Sequence, residues 1–207
     1  MKNKKLILFD LDGVIVNSES NMKLAWNEVQ TIFAITTPFE DYFKNIGRPF
    51  SEIMKILGHS ENSNKIEDVY KSTSLKTLND IEFYDGVSDV LNKLSVKGYK
   101  LGIITSKDKD RTDLILNKLN VTFSIIRTPD NLCRGKPSPD HLLFAMAVTN
   151  TDPINTIYVG DMDVDCLAAE RAGIDYIHAM WGYSPKIEHT VFGLNSFRDI
   201  YNFLEGE

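Results

Sequence analysis

The chain contains short apolar runs that stop abruptly at polar residues. The first run, residues 6–9, has only leucine, isoleucine and phenylalanine and ends at Asp10. A continuous apolar run of this length is typical of a parallel strand that is buried on both faces. Further strands are predicted at residues 99–105, 122–127, 156–160 and 176–179, and helices at residues 87–96, 110–119, 139–148, 163–172 and 197–204. This alternation predicts an α/β fold with a Rossmann-like, doubly wound parallel sheet.

The stretch between the first strand and residue 83 follows a different pattern. Met22, Trp26, Val29 and Phe33 recur at helical spacing, and Ser18 before them is a candidate N-cap. Further helices are predicted at residues 38–45, 51–57 and 64–78. Because this stretch contains no convincing strand, we expect an inserted α-helical domain of residues 17–83 in a core domain of residues 1–16 and 84–207.

Composition excludes several classes of protein. Of the 207 residues, 43% are hydrophobic and 25% are charged, which is ordinary globular usage. The net charge of −6 and the absence of a long basic run argue against nucleic-acid binding. No apolar run is long enough for a signal peptide or a membrane span. With only Cys133 and Cys166, no disulfide framework is indicated. We expect a soluble, cytoplasmic protein that does not bind membranes and is a monomer by default.

Polar residues suited to catalysis gather at the predicted strand ends and in one loop. They are Asp10 and Asp12 after the first strand, Thr105 and Ser106 after the second, Asp161 and Asp165 after the fourth, and Lys136 in the loop before the fourth strand. The ends of parallel strands face one shared crevice. If the four aspartates converge there, each pair repels by about 1 to 4 kcal/mol at a separation of roughly 4 Å. A cation is therefore required, and oxygen ligands favour Mg²⁺.

A magnesium ion, an ammonium group and a hydroxyl group together suit a phosphoryl group, whose oxygens need neutralising during transfer. Four segments carry these residues: Asp10-Leu11-Asp12-Gly13-Val14, Ile104-Thr105-Ser106, Gly135-Lys136-Pro137-Ser138-Pro139-Asp140 and Gly160-Asp161-Met162-Asp163-Val164-Asp165. In this order they resemble the motifs of the haloacid dehalogenase superfamily, in its helical-cap branch of phosphoglycolate phosphatases and beta-phosphoglucomutases. Four ordered motifs are far more specific than any one of them.

The resemblance implies a Mg²⁺-dependent phosphatase that hydrolyses a small phosphate monoester. Asp10 would be the nucleophile and would form an aspartyl-phosphate intermediate. Asp12 would be the general acid and base. Thr105, with the backbone at Ser106, would bind phosphoryl oxygens, and Lys136 would offset the charge of the nucleophile and phosphate.

The resemblance also implies a metal site and a cap. Magnesium would bind Asp10, the backbone carbonyl of Asp12 and the side chain of Asp161, while Asp165 would act through water or orient the other ligands. The peptide bond after Lys136 is often cis in this family.

The helical insertion would be a cap that closes over the crevice, with Arg48 as a substrate contact. The segment Trp181-Gly182-Tyr183 resembles a loop that borders the site. An arginine such as Arg48 also commonly forms only a surface ion pair.

Two departures from related sugar phosphomutases favour hydrolysis. Those enzymes commonly carry a histidine where this chain has Met22, and a Glu-Asp pair where it has Gly160-Asp161. The alternatives are a sugar phosphomutase of the beta-phosphoglucomutase type and, from another class, a non-catalytic regulatory or binding module. The substrate stays open among sugar, polyol, amino-alcohol and glycolate phosphates, free or attached to a carbohydrate.

Overall fold

The computed structural model describes residues 3–184 and 192–206. In chain order the helices and strands are β1 (Leu6–Phe9), β2 (Val16–Asn17), α1 (Glu19–Phe33), α2 (Phe39–Phe43), α3 (Phe50–Ile56), α4 (Ser63–Lys76), β3 (Glu82–Phe83), α5 (Val87–Val96), β4 (Lys100–Ile104), α6 (Lys109–Leu116), β5 (Ile125–Arg127), α7 (Asp140–Val148), β6 (Thr156–Gly160), α8 (Asp163–Ala172), β7 (Asp175–Ala179), β8 (Gly193–Leu194) and α9 (Asp199–Glu205).

Six strands form one sheet in the order β5-β4-β1-β6-β7-β8, and every neighbouring pair is parallel. Ile7 and Phe9 of β1 point to one face and pack with α5 and α9, whereas Leu6 and Leu8 point to the other face and pack with α7 and α8. Because both faces are covered, the first strand has no polar position. The predicted doubly wound α/β sheet is confirmed.

The order of strands explains where the catalytic candidates lie. β4 and β6 are the two neighbours of β1. Asp10 follows β1, Thr105 follows β4 and Asp161 follows β6. Since parallel strands end at the same edge, these three residues meet at the middle of the carboxyl edge of the sheet.

The helices α1 to α4 pack around a hydrophobic cluster of their own, which includes Trp26, Tyr42, Met54, Ile66 and Tyr70. The rings of Trp26 and Tyr42 stack with their centroids 4.5 Å apart. Among the residues described, none of the helices combines the length and apolar character needed to cross a bilayer.

A two-stranded antiparallel ribbon joins the helical insertion to the sheet. In this ribbon Val16 of β2 pairs with Phe83 of β3, and Asn17 pairs with Glu82. The predicted division of the chain, into residues 1–16 with 84–207 and residues 17–83, stays a prediction, and both of its boundaries fall within this ribbon.

The predicted and observed helices and strands differ mainly at their ends. The helix predicted to end at residue 119 ends at Leu116, and the strand predicted from residue 122 begins at Ile125. The strands β2, β3 and β8 were not predicted, because two residues are too short to show an alternating pattern.

Replacing a leucine between the sheet and its helices should cost far more stability than replacing an exposed one. Leu91 of α5 is fully buried in the cluster against the sheet, whereas Leu114 of α6 is 50% exposed. We expect Leu91→Ala to lower the free energy of unfolding by about 2 to 5 kcal/mol. Leu114→Ala should change it by only about 0.5 kcal/mol. Urea denaturation of both variants checks this, and equal losses would contradict the packing described.

Candidate active site

The carboxyl edge of the sheet and the helical insertion enclose a cavity of about 170 Å³. Six of the eight residues predicted as site residues line it: Asp10, Asp12, Arg48, Thr105, Ser106 and Lys136. The other two, Asp161 and Asp165, each have a carboxylate oxygen within 4.8 Å of one from Asp10. The fold thus gathers residues that are up to 155 positions apart in the chain, from Asp10 to Asp165.

Lys136 lies at the centre of the charged groups. Its Nζ is 2.9 Å from Asp10 Oδ2 and 2.7 Å from Asp165 Oδ1, and it donates a 3.3 Å hydrogen bond to the Tyr158 hydroxyl. Burial alone would lower the pKa of Lys136, but the carboxylates of Asp10 and Asp165 outweigh it and raise that pKa above its ordinary value. The lysine therefore stays charged. The peptide bond between Lys136 and Pro137 is cis, as the resemblance implied.

Asp10 is 4% exposed, and each of its carboxylate oxygens contacts a neighbouring donor. Its Oδ1 accepts a 2.8 Å hydrogen bond from the backbone N–H of Leu11, and its Oδ2 pairs with Lys136. Burial, assisted by the charges of Asp165 and Asp12 and opposed by Lys136, raises the pKa of Asp10 to about 7. Without a further cation, this carboxyl group is thus partly protonated near neutral pH.

Asp12 faces the cavity beside Asp10 but has different partners. Its Oδ1 is 3.2 Å from Lys107 Nζ and accepts a hydrogen bond from the Ser18 hydroxyl. Ser18 does occupy the N-cap position of α1, but its side chain makes no capping hydrogen bond there. The predicted N-cap position of Ser18 is therefore confirmed, but its hydroxyl donates its proton to the carboxylate of Asp12.

Asp161 is fully buried and only half satisfied. Its Oδ2 accepts a 2.8 Å hydrogen bond from the backbone N–H of Tyr183, but its Oδ1 has no hydrogen-bond partner among the described residues. Burial, with the charges of Asp165 and Asp10, raises the pKa of Asp161 well above its ordinary value. A buried oxygen that has no hydrogen-bond partner destabilises the folded protein unless a cation or a ligand binds to it.

Glycines leave room for this carboxylate. A Cβ atom on Gly13, where φ is +82°, would come within 2.1 Å of Asp161 Oδ2, and one on Gly182 would come within 2.4 Å of Asp161 Cβ. Both positions therefore exclude a side chain. The loop predicted to border the site, which contains Tyr183, does contact Asp161.

The cluster fits a hard divalent cation. Asp10, Asp161 and Asp165 offer three carboxylate oxygens that all lie within 4.8 Å of one another, and within the described part of the chain one oxygen of Asp161 has no hydrogen-bond partner. Oxygen donors of this kind suit Mg²⁺ or a similar ion. Asp165 is also engaged elsewhere, since its Oδ1 accepts from Tyr158 and Lys136 and its Oδ2 accepts from the Met162 N–H.

Five charged residues of the cavity wall were not predicted from the sequence: Glu67, Lys71, Lys107, Asp108 and Arg111. Lys107 and Arg111 are both 6% exposed. The signal was present, because Lys107 directly follows Thr105 and Ser106, and Arg111 lies one helical turn further on. A lysine or an arginine is rarely this buried without a partner or a function.

Comparison with known proteins identifies the family. Residues 7–179 match the family described as haloacid dehalogenase-like hydrolase. That segment is most of the 207 residues, and the chain belongs to this family.

Curated relatives of similar length are phosphatases. The phosphoglycolate phosphatase of Aquifex aeolicus is 28% identical over 185 residues, which is 86% of each chain. The validoxylamine A 7'-phosphate phosphatase of Streptomyces hygroscopicus is 31% identical over 179 residues, 82% of this chain and 83% of that protein. The pyrophosphatase PpaX of Anoxybacillus flavithermus is 28% identical over 210 residues, 98% of this chain and 97% of that protein. Family, fold and site thus define the chain as a phosphoric ester hydrolase.

Solved structures show the same fold. A hydrolase from Pseudomonas syringae superposes with a TM-score of 0.87 at 22% identity and covers 98% of both chains. CbbY from Rhodobacter sphaeroides, solved in complex with phosphate, superposes with a TM-score of 0.80 at 18% identity and covers 95% of this chain and 96% of that one. These likenesses extend over the sheet and the helical insertion alike.

Binding of a divalent cation should release protons. At about pH 6 the carboxyl group of Asp10, whose pKa is about 7, is mostly protonated, and it must ionise to bind a metal. We expect Mg²⁺ binding to release a substantial fraction of a proton at that pH and less at higher pH. Calorimetric titration in two buffers with different ionisation enthalpies measures this. Asp161→Asn should abolish binding, whereas Asp163→Asn, an exposed neighbour, should bind as the unaltered protein does. Cation binding without proton release would contradict the role of Asp10 as a metal ligand whose pKa is raised.

Proposed function

We propose that the chain is a Mg²⁺-dependent phosphatase that hydrolyses a small phosphate monoester through an aspartyl phosphate on Asp10. The observation that carries this proposal is the placement of Asp10 and Asp12. Both face one cavity, and Lys136 pairs with Asp10 while Lys107 pairs with Asp12. Asp10 also lies beside the carboxylates of Asp161 and Asp165, whereas Asp12 accepts a hydrogen bond from Ser18, and such different surroundings suit two different roles.

In the first half of the reaction, an oxygen of Asp10 attacks phosphorus and forms an O–P bond. The bond between phosphorus and the leaving oxygen breaks on the opposite side, and Asp12 gives its proton to that oxygen. Lys136 lowers the pKa of Asp10 against the larger effect of burial, which favours the ionised nucleophile, and it offsets charge on the phosphoryl group. The leaving alcohol then departs.

In the second half, water attacks the phosphorus of the aspartyl phosphate and Asp12 takes a proton from this water. The O–P bond to Asp10 breaks, which releases inorganic phosphate and restores the carboxylate. Thr105 takes part by binding. Its Oγ1 accepts a 3.1 Å hydrogen bond from the backbone N–H of Lys107, so its own hydroxyl proton is free to be donated to a phosphoryl oxygen.

The cation in this proposal is Mg²⁺, held by Asp10, Asp161 and the backbone carbonyl of Asp12, with Asp165 orienting the site. It would supply positive charge that offsets the phosphoryl oxygens. Asp161 Oδ1, which has no hydrogen-bond partner in residues 3–184 and 192–206, and the raised pKa values of Asp10 and Asp161 support a cation at this place.

The helical insertion is proposed to act as the cap. Ser106 Oγ donates a 2.6 Å hydrogen bond to the carbonyl of Gly47, which ties the loop after β4 to the loop that carries Arg48. Ser106 would thus offer its backbone N–H to the substrate. Arg48 lines the cavity and has no ion-pair partner among the described residues, which favours a substrate contact over a surface ion pair.

The size and lining of the cavity support hydrolysis of a small substrate. A cavity of about 170 Å³ is below the usual range of about 300 to 1,000 Å³ for larger ligands. Met22 lies in the wall, where it offers no group that could carry a proton to a sugar hydroxyl. Both facts favour a phosphatase over a phosphomutase.

Asp10→Asn should abolish turnover, because an amide neither attacks phosphorus nor forms the intermediate. We expect the release of p-nitrophenol from p-nitrophenyl phosphate, measured with Mg²⁺, to fall roughly 10³-fold or more. Asp163→Asn removes an exposed carboxylate of the fourth motif and should retain activity. If the unaltered protein released no more than Asp10→Asn, a non-catalytic binding module would be the better description.

Asp12→Asn should impair poor leaving groups most. An alkoxide needs a proton to leave, whereas p-nitrophenolate leaves without one, so the loss in kcat/KM should depend on the substrate. We expect a fall of about 10² to 10⁴-fold for an alkyl phosphate and a much smaller fall for p-nitrophenyl phosphate. Steady-state kinetics with both substrates checks this. The same loss for both would argue against Asp12 as the proton donor to the leaving group.

A further inference from the structure

Tyr183, in the loop after β7, contacts three parts of the molecule that meet at the site. Its backbone N–H donates a 2.8 Å hydrogen bond to Asp161 Oδ2. Its hydroxyl oxygen accepts a 2.8 Å hydrogen bond from the backbone N–H of Ser18 and lies 3.1 Å from Ser18 Oγ. Its ring packs against Phe43 of the insertion, with the ring centroids 5.0 Å apart. The proposed reaction so far gives this side chain no role.

The hydroxyl groups of Tyr183 and Ser18 form a chain that ends on Asp12. A carboxylate oxygen without a proton only accepts hydrogen bonds, so the Ser18 hydroxyl donates its single proton to Asp12 Oδ1. Ser18 Oγ then has no proton left for Tyr183, and the phenol is the donor across the 3.1 Å between the two hydroxyl oxygens. Each hydroxyl group in this chain therefore donates toward the carboxylate.

This chain distinguishes the two oxygens of Asp12. Oδ1 accepts from Ser18 and is 3.2 Å from Lys107 Nζ, so it already has two donors. Oδ2 has neither a hydrogen bond nor an ion pair with any residue that the structure describes. Since a proton cannot easily occupy an oxygen that two donors already approach, Oδ2 is the oxygen suited to carry the proton and give it to the leaving oxygen.

Tyr183 gives Ser18 a reason to face Asp12. A serine at the N-cap position of a helix ordinarily turns its hydroxyl toward the N–H groups of the first turn. Ser18 makes no such hydrogen bond to α1. The Tyr183 hydroxyl accepts from the Ser18 backbone and donates to its Oγ, and these two contacts fix the serine with its proton directed at Asp12. Without the phenol, the serine could return to its capping conformation.

We infer that Tyr183 is a positioning residue, which acts through Ser18 to hold the carboxyl group of Asp12 with Oδ2 directed at the leaving oxygen. This inference rests on the proposed phosphatase function, in which Asp12 is the proton donor. Of the residues that the structure describes, Asp12 lines the cavity, but Ser18 and Tyr183 do not. The effect of Tyr183 on the reaction is therefore exerted through Asp12 rather than through contact with the substrate.

Tyr183→Phe tests the inference, because it removes the hydroxyl and keeps the ring and the backbone N–H. We expect kcat/KM to fall about tenfold for ethyl phosphate but only about twofold for p-nitrophenyl phosphate. The difference arises because p-nitrophenolate leaves without a proton. Calorimetric titration should show an unchanged affinity for Mg²⁺, since the hydrogen bond to Asp161 is retained. The matched control Tyr99→Phe removes a hydroxyl that is bonded to Glu205 and should leave both rates unchanged.

Double variants show whether the residues act in one chain. Ser18→Ala should cause the same selective loss with ethyl phosphate, and adding Tyr183→Phe to it should cause no further loss. Likewise, Tyr183→Phe should have no further effect on ethyl phosphate hydrolysis when Asp12 is already replaced by asparagine. Steady-state kinetics of the single and double variants measures both comparisons.

Several results would overturn the role of Tyr183 while the proposed function stands. These are an unchanged rate in Tyr183→Phe, an equal loss with both esters, and losses in the double variants that simply add. An equal loss would indicate that the hydroxyl only supports the fold, because weaker folding does not discriminate between leaving groups. If the unaltered protein hydrolysed neither ester, the proposed function would be wrong, and the role of Tyr183 would fall with it.

Discussion

Lys136 is the charge on which the arrangement of the site depends. Its ammonium group lies between the carboxylates of Asp10 and Asp165, both almost completely out of contact with solvent. Without it the three buried carboxylates of Asp10, Asp161 and Asp165 would repel one another strongly, and even with it one oxygen of Asp161 has no hydrogen-bond partner among the residues that the structure describes. The lysine offsets part of this repulsion, and the remaining negative charge suits the site to a cation.

The surrounding fold serves to hold these charges at fixed distances. β1 lies between β4 and β6, so the residues that directly follow these three strands are neighbours in space even though long segments of the chain separate them. Gly13 and Gly182 let the backbone close against Asp161. The parallel sheet places the aspartates at the same edge, and the glycines allow the backbone to approach Asp161 closely. Both features are needed to bring the carboxylates together.

The position of the carboxylates could be predicted from the sequence, because buried strands that end in aspartates at Asp10 and Asp161 leave a strong pattern. The strand order was not, since periodicity says which face is buried but not which strand lies beside which. The bond from Ser18 to Asp12 was missed because a serine at a helix start is ordinarily a cap. The burial of Lys107 and Arg111 was missed because these residue types are usually exposed, and contacts such as that of Arg111 with Ser74 of the insertion cannot be read from the sequence.

The ribbon formed by β2 and β3 has a wider consequence. Because Val16 pairs with Phe83, the chain enters and leaves the insertion at adjacent positions. The residues between them, from Asn17 to Glu82, form one segment that is attached to the core there. A segment attached in this manner can lengthen, shorten or be exchanged in the course of evolution without altering the register of the strands beneath. If the insertion is the cap proposed above, the residues that react with the phosphoryl group and those that contact the rest of the substrate can change independently on one scaffold.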